Sequence, residues 1–251
     1  MPIKKFNVRR LISSRPGDAS KHDPNLSNAW GIVNDRETFW VANTQAGIIC
    51  HYDLNGNKVS PDTVNLINEN GDITTDELPT AITINRSQGF VVGNIPIGDD
   101  VPILRAASFL LIATKKGNIY AYNPLVATSN AYIVIKSLDE QIYTGLTVAS
   151  NHLYAADFLN NKIDVFDFNF KEVSGFPFVD GDAEKPLPSN YAPFNIAHIG
   201  EHIYVSYALQ KGPDNLEELP GHGNGYISVF NVDGIFVRRL VSSTLVSTLQ
   251  I

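Results

Sequence analysis

The chain is 251 residues long, 43% hydrophobic and 18% charged, with a formal net charge of −7 and a pI near 5.3. An acidic chain without a run of Lys or Arg longer than two offers little to a phosphate backbone, which argues against nucleic acid as a partner. No apolar stretch approaches the roughly 20 residues that span a bilayer, and the N-terminal MPIKKFNVRRL lacks the apolar core of a signal peptide. A soluble chain without membrane insertion, cytoplasmic by default, is therefore expected, and the lone Cys50 excludes an intrachain disulfide.

In chain order, the first predicted element is an N-terminal strand at 6–12. It carries the phrase V-R-R-L-I-S-S (8–14), which returns almost unchanged as V-R-R-L-V-S-S (237–243). Four units lie between, at about 28–60, 78–136, 143–173 and 191–241. Each opens with a short apolar strand: WGI (30–32), TAI (80–82), TGL (144–146) and FNI (194–196). A β-rich run follows: FWVAN (39–43), FLLIAT (109–114), LYAAD (153–157) and IYVSY (203–207). Then comes one seven-residue pattern, a small residue, any residue, Ile, two of any kind, an aromatic and Asp or Asn. It reads GIICHYD (47–53), GNIYAYN (117–123), NKIDVFD (161–167) and GYISVFN (225–231).

In a strand the Ile and the aromatic of this pattern face opposite sides, so both faces of the sheet need cover. Gly31 to Ile49 and Gly145 to Ile163 are both 18 residues apart, while Ala81 to Ile119 is 38 and Asn195 to Ile227 is 32. The unit is constant and its loops vary. Asn55-Gly56 and Asp233-Gly234 predict tight turns before a fourth strand. Repeated four-stranded antiparallel units without helical periodicity predict an all-β fold, a β-propeller of four complete blades in a single domain, 1–251. The strand at 6–12 and a C-terminal strand at 244–251 are left over. In a closed propeller the first V-R-R-L phrase would complete the last blade, so its partner here is expected to be 244–251, an unexpected edge or another molecule.

LYAADFLNNKIDVFD (153–167) resembles the signature of NHL-type six-bladed propellers. Four longer stretches, 13–33, 153–170, 190–210 and 223–243, are similar to successive landmarks of one uncharacterised bacterial propeller family. The resemblance covers about residues 8–243 and implies a six-bladed ring without an established activity. Members of that family are often exported, and some carry a C-terminal sorting tail. This sequence is C-terminally short by comparison, and a closed ring of six cannot be built from its four blades.

Few motifs carry chemistry. His198-Ile-Gly-Glu201-His202 matches the H-x-x-E-H of helical zinc proteases, but here it joins two predicted strands, which makes it a chance match. Cys50 is expected as a strand-interior residue, and nucleophile elbow, phosphate loop and C-x-x-C are all absent. Two acidic loops, Asp180-Gly-Asp182-Ala-Glu184 and Asp99-Asp100, could supply oxygen ligands to Ca2+; no cofactor is otherwise expected. On the face where loops of all blades converge, His22, Asp23, Asn28, Asn43, Asp157 and Asn195 are candidate ligand or metal residues. Gluconolactonase-type propellers hold a divalent cation with such residues; strand capping is the alternative role. In the fourth-unit insertion, Asp214, Glu217, Glu218 and His222 are candidates for binding a partner.

The expected function is a non-catalytic binding or structural module that engages a protein partner, or a second copy, through open blade edges. The alternatives are a lactonase-like or hydrolase-like enzyme with an axial divalent cation, and a truncated relative without activity.

Overall fold

The computed structural model describes residues 8–93, 104–138 and 140–243, and every regular element among them is a β-strand. After two short strands, β1 (Ile12–Ser13) and β2 (Lys21–His22), the first meander comprises β3 (Ala29–Asp35), β4 (Thr38–Asn43), β5 (Ile48–Asp53) and β6 (Lys58–Ile67). Next come β7 (Ile73–Thr74), β8 (Pro79–Ile84), the small hairpin β9 (Val91–Gly93) and β10 (Arg105–Ala107), then β11 (Leu110–Thr114), β12 (Ile119–Tyr122) and β13 (Asn130–Ile135). A third group holds β14 (Tyr143–Ala149), β15 (His152–Asp157) and β16 (Lys162–Asp167). The last holds β17 (Tyr191–Ile199), β18 (His202–Leu209), β19 (Tyr226–Phe230) and β20 (Phe236–Val241).

The Asp or Asn that closes each seven-residue pattern has a mechanical role. Asp53 Oδ1 accepts the backbone amides of Asn55 and Asn57, both at 2.8 Å. Asp167 does the same for Asn169 and Lys171, and Asn231 for Asp233 and Ile235. Asn123 accepts one amide, from Leu125. A short polar side chain thus supplies partners for turn amides that the ladder leaves free.

The sheets differ from four separate four-stranded units. β6 runs on to Ile67, beyond the expected end at 60, and pairs in parallel with β13 from Asn65↔Asn130 to Ile67↔Tyr132. This joins two meanders into one nine-stranded sheet, β3-β4-β5-β6-β13-β12-β11-β8, with β7 on β6. Its two end strands return to each other: a Cβ placed on Gly31 of β3 would lie 3.0 Å from the Thr80 carbonyl oxygen of β8. The sheet is nearly closed and barrel-like.

The third sheet has three strands instead of four. After β16 the chain makes one bridge, Phe166↔Glu172, and one further bond from the Val173 amide to the Val165 carbonyl. It then crosses to the fourth sheet, where the Phe178 amide bonds the Gly234 carbonyl and Asp180 meets Arg239. The aromatic cluster explains the detour. Phe176 and Phe178 pack on Tyr154, and Phe178 also packs on Phe230 of the neighbouring sheet.

Apolar clusters bind the sheets in sequence. Trp40, Ile49 and Val64 meet Ile82, Leu110 and Ile112. Leu111 and Ile119 meet Leu146, Leu153 and Phe166. Tyr154 and Val165 meet Ile196, Val205 and Phe230. Polar bonds reinforce the same sequence: Thr44 Oγ1 donates to the Pro79 carbonyl, Thr80 Oγ1 to the Tyr143 carbonyl and Gln210 Nε2 to the Phe158 carbonyl.

The remaining face of the first meander, with Val41, Cys50 and Tyr52, is covered by Ile12 and Leu26 of the N-terminal segment. Asp23 anchors that segment, accepting the Tyr52 hydroxyl at 2.8 Å and lying 3.1 Å from Lys58 Nζ. In place of a strand at 6–12, residues 8–11 are irregular, and Ile12–Ser13 pairs in parallel with Lys21–His22. The chain doubles back on itself because Ile12 has an apolar site to fill beside Gly56. Residues 6–7 and the expected strand at 244–251 lie outside the described residues.

Candidate functional site

Four strands, β3, β8, β14 and β17, are each terminal in their sheet order. β3 lies beside β8, β8 beside β14 and β14 beside β17. Glycine permits the last contact, since a Cβ on Gly145 would come within 2.7 Å of Asn195 Cα. Around them is a cavity of about 600 Å³, whose wall includes Trp30, Thr80, Thr144, Asn195, His198 and Glu218. An edge strand has no ladder partner on its outer side, so every second residue turns unpaired backbone N–H and C=O groups that way. The cavity wall is consequently polar backbone as much as side chain.

The four strands are not equivalent. β8 and β14 are almost wholly buried, whereas β3 and the C-terminal end of β17 are more open, with Ile32 66% and Ile199 61% exposed. β3 and β17 approach at one end, where the Trp30 and Phe194 rings stand 5.8 Å apart. Among the described residues they share no ladder and no buried cluster. Lys115 places its ammonium 4.9 Å from the Trp30 ring centre, an arrangement that the ring's negative face favours.

Of the six ligand candidates on the expected axial face, only Asn195 lines this cavity. It is exposed, and its Oδ1 accepts the Ile196 amide at 2.8 Å. Asn43 is fully buried at the end of β4 and donates to the Val41 carbonyl. Asp157 is fully buried at the equivalent end of β15 and accepts the Ile142 amide at 3.2 Å, the Asn160 amide at 3.3 Å and Asn160 Nδ2 at 2.7 Å. Burial pushes its carboxyl above the usual carboxylate range, although those bonds oppose the shift. His22 is exposed with a ring nitrogen 3.2 Å from the Ser14 carbonyl. Asp23 is the anchor described above. Burial disfavours its charge, but the bonds from Tyr52, Asn25 and Lys58 outweigh that and hold its pKa below the ordinary value. Asn28 is exposed and accepts Trp30 Nε1 at 3.2 Å.

The six residues lie in separate places in the fold, with Asn195 alone among them on the cavity wall. Among the described residues no group of three His, Cys, Asp or Glu could hold a metal ion. In the acidic loop, Asp180 is bound by Arg239 and by the Ser228 hydroxyl, and Asp182 Oδ1 accepts the Lys185 amide. Asp99 and Asp100 lie outside the described residues. The H-x-x-E-H stretch is the β17–β18 hairpin. Ile199 pairs with His202 and His198 with Ile203, so the two imidazoles point to opposite faces. Cys50 is fully buried, and burial pushes its thiol pKa up, away from reactivity.

In the insertion after β18, Asp214, Glu217 and His222 are exposed, Glu217 lies 3.6 Å from Lys211, and Glu218 reaches the cavity wall. What sets Glu218 apart from its neighbours is its bridge with Gln210, which no local sequence pattern announces.

No protein-family model matches the chain. Its sequence is similar to uncharacterised viral proteins. Two, both from Acanthamoeba polyphaga mimivirus, are 38% identical over 244 and 245 residues, or 96% of this chain in each case. The chain spans 58% and 62% of the length of these two relatives. The relatives found are thus viral, where the sequence resemblance pointed to a bacterial family. Among solved structures, the computationally designed Ika4 protein aligns over 90% of this chain and 99% of its own, with a TM-score of 0.44 and 10% identity. The hydrazine synthase of Kuenenia stuttgartiensis aligns over 90% of this chain and 51% of its own, with a TM-score of 0.46 and 13% identity. Neither likeness is close enough to carry an argument about this chain.

Proposed function

We propose that the four strand groups are blades of a β-propeller arc, and that the chain is a non-catalytic binding module that engages protein through the open side of that arc. One observation carries the reading. Consecutive groups bury three apolar clusters between them, while Ala197, Tyr204 and Ile227, on the other face of β17–β19, belong to none of these clusters; Ala197 is exposed, Tyr204 and Ile227 are half-buried, and Val229 opposite Tyr204 is buried. Tyr204 and Ile227 alternate with the buried Ile203, Val205 and Ser228, so they stand on the opposite side of that sheet. A partly covered apolar sheet face is an association surface.

Self-association is the first expression of that surface. Light scattering across a concentration series should give twice the 27.6 kDa chain mass at high concentration. Ile227→Arg should return the chain to monomer without changing its melt. A monomer at every concentration contradicts the reading.

A further inference from the structure

The cavity bounded by β3, β8, β14 and β17 has aromatic rings at one end and a carboxylate from the fourth-unit insertion on its wall, and both are held in place. The rings are those of Trp30 and Phe194. Trp30 Nε1 donates to Asn28 Oδ1, the Lys115 ammonium stands against the indole, and Phe194 packs edge-on to Phe158 at 5.5 Å. Glu218 is fixed through its backbone. It bridges Gln210, and on either side the Lys211 amide bonds the Glu217 carbonyl at 2.8 Å and the Leu219 amide bonds the Leu209 carbonyl at 2.7 Å. The insertion is thereby stitched to the end of β18 with Glu218 on the cavity wall.

Several polar groups of this wall have no protein partner. Among the described residues neither the Glu218 carboxylate nor the His198 imidazole makes a hydrogen bond or an ion pair. The Thr144 hydroxyl is buried and unpartnered as well, a rare state for a polar group in a folded protein. Asn195 uses Oδ1 for the Ile196 amide and keeps its Nδ2 hydrogens free. The Ile196 and His198 amides are already bonded, so on β17 recognition falls to side chains.

Charge narrows the ligand. The wall has no Lys or Arg, so an anion would meet Glu218 without a compensating cation. An organic cation would suit a carboxylate beside aromatic rings, but Lys115 already stands on Trp30 and would repel it. A neutral molecule rich in hydroxyls meets neither objection, and a volume of about 600 Å³ is in the range of small-molecule sites.

We propose that this cavity binds a small, neutral, polyhydroxylated molecule of the sugar class. Glu218 accepts hydrogen bonds from its hydroxyls, Asn195 Nδ2 donates to them, and the Thr144 hydroxyl and the His198 ring can do either. The Trp30 ring takes its apolar C–H face. The proposal goes beyond the engagement of protein and needs one chain only, so it does not depend on self-association.

Ligand-observed NMR on the full chain at low concentration tests this with four neutral probes, glucose, galactose, mannose and maltose, and two charged ones, glucosamine and gluconate. At least one neutral probe should bind saturably with a Kd of about 1 mM or tighter. It should also shift the emission of Trp30, with Trp30→Phe as the control that leaves Trp40 alone. Trp30→Ala and Glu218→Ala should each weaken the binding by about tenfold. Glu217→Ala, beside Glu218 but absent from the cavity wall, should leave Kd within about twofold; thermal melts confirm that each variant folds. The proposal is overturned if no neutral probe binds saturably, if binding survives both wall substitutions, or if glucosamine or gluconate binds more tightly than the neutral probes.

Discussion

The Arg239 guanidinium grips the Asp180 carboxylate at two points, Nε to Oδ2 at 2.8 Å and Nη2 to Oδ1 at 2.5 Å, with both side chains buried. Burial disfavours the charge on Asp180, but Arg239 and the Ser228 hydroxyl outweigh it and hold the carboxyl below its usual pKa. The pair fastens the stretch that leaves β16 onto the last strand of the next sheet. Removing only the cation strands a buried carboxylate, so Arg239→Met should cost about 3–5 kcal/mol. Arg10, its counterpart in the other V-R-R-L phrase, is exposed, and Arg10→Met should stay within about 0.5 kcal/mol. Denaturant unfolding of the two variants measures the difference directly.

Gly145 reports the flank-to-flank packing of β14 and β17. A Cβ there would meet backbone atoms of Asn195 and Ile196 at 2.7 and 2.8 Å, and backbone cannot rotate away. Gly145→Ala should therefore destabilise by about 1–3 kcal/mol, in the range of core overpacking. Gly71, which has open space around its Cβ position, is not a fair control because its φ is +88°. Ala149→Gly in the same strand is a better one, with a loss near 1 kcal/mol or less.

How much of this was legible in the sequence depends on the range of the interaction. The Asp or Asn at 53, 123, 167 and 231 was visible because it acts on amides two to four residues away. The missing fourth strand of the third group was not, since residues 174–180 follow an aromatic cluster and an arginine 59 positions downstream. Asn43 and Asp157 were matched correctly as equivalent positions, at the ends of β4 and β15, but equivalence does not say which way a side chain turns. Both turn into the fold. The cavity itself is lined largely by strand edges, and backbone edges leave no signature in residue identity.

His51 is buried and stacked on Trp40 at 3.7 Å between ring centres. Burial pushes its pKa below the usual 6.5, so the folded chain keeps it neutral where the unfolded chain is already protonated. Unfolding then takes up a proton, and stability is present above pH 6.5 and lost as pH falls from there through the lowered folded value. The melting temperature should drop over that interval, and His51→Phe should flatten the dependence. A parallel decline in the variant would contradict this assignment.

Calcium should have no effect on the melt at millimolar concentration. Asp180 is already paired with Arg239, and a ligand that binds only the folded state would otherwise raise stability measurably. Asp157→Ala, by contrast, should cost about 1–3 kcal/mol for the part-buried amides of Ile142 and Asn160 that it leaves without their partner.

The open side of the arc is tested most directly by hydrogen exchange of β3, β8, β14 and β17 at low and high chain concentration. At low concentration β8 and β14 should exchange slowly and β3 and β17 quickly, with β17–β19 gaining protection as the chain self-associates. Equal, slow exchange of all four strands in the dilute chain would mean that the first and last sheets close on each other, and would contradict the account.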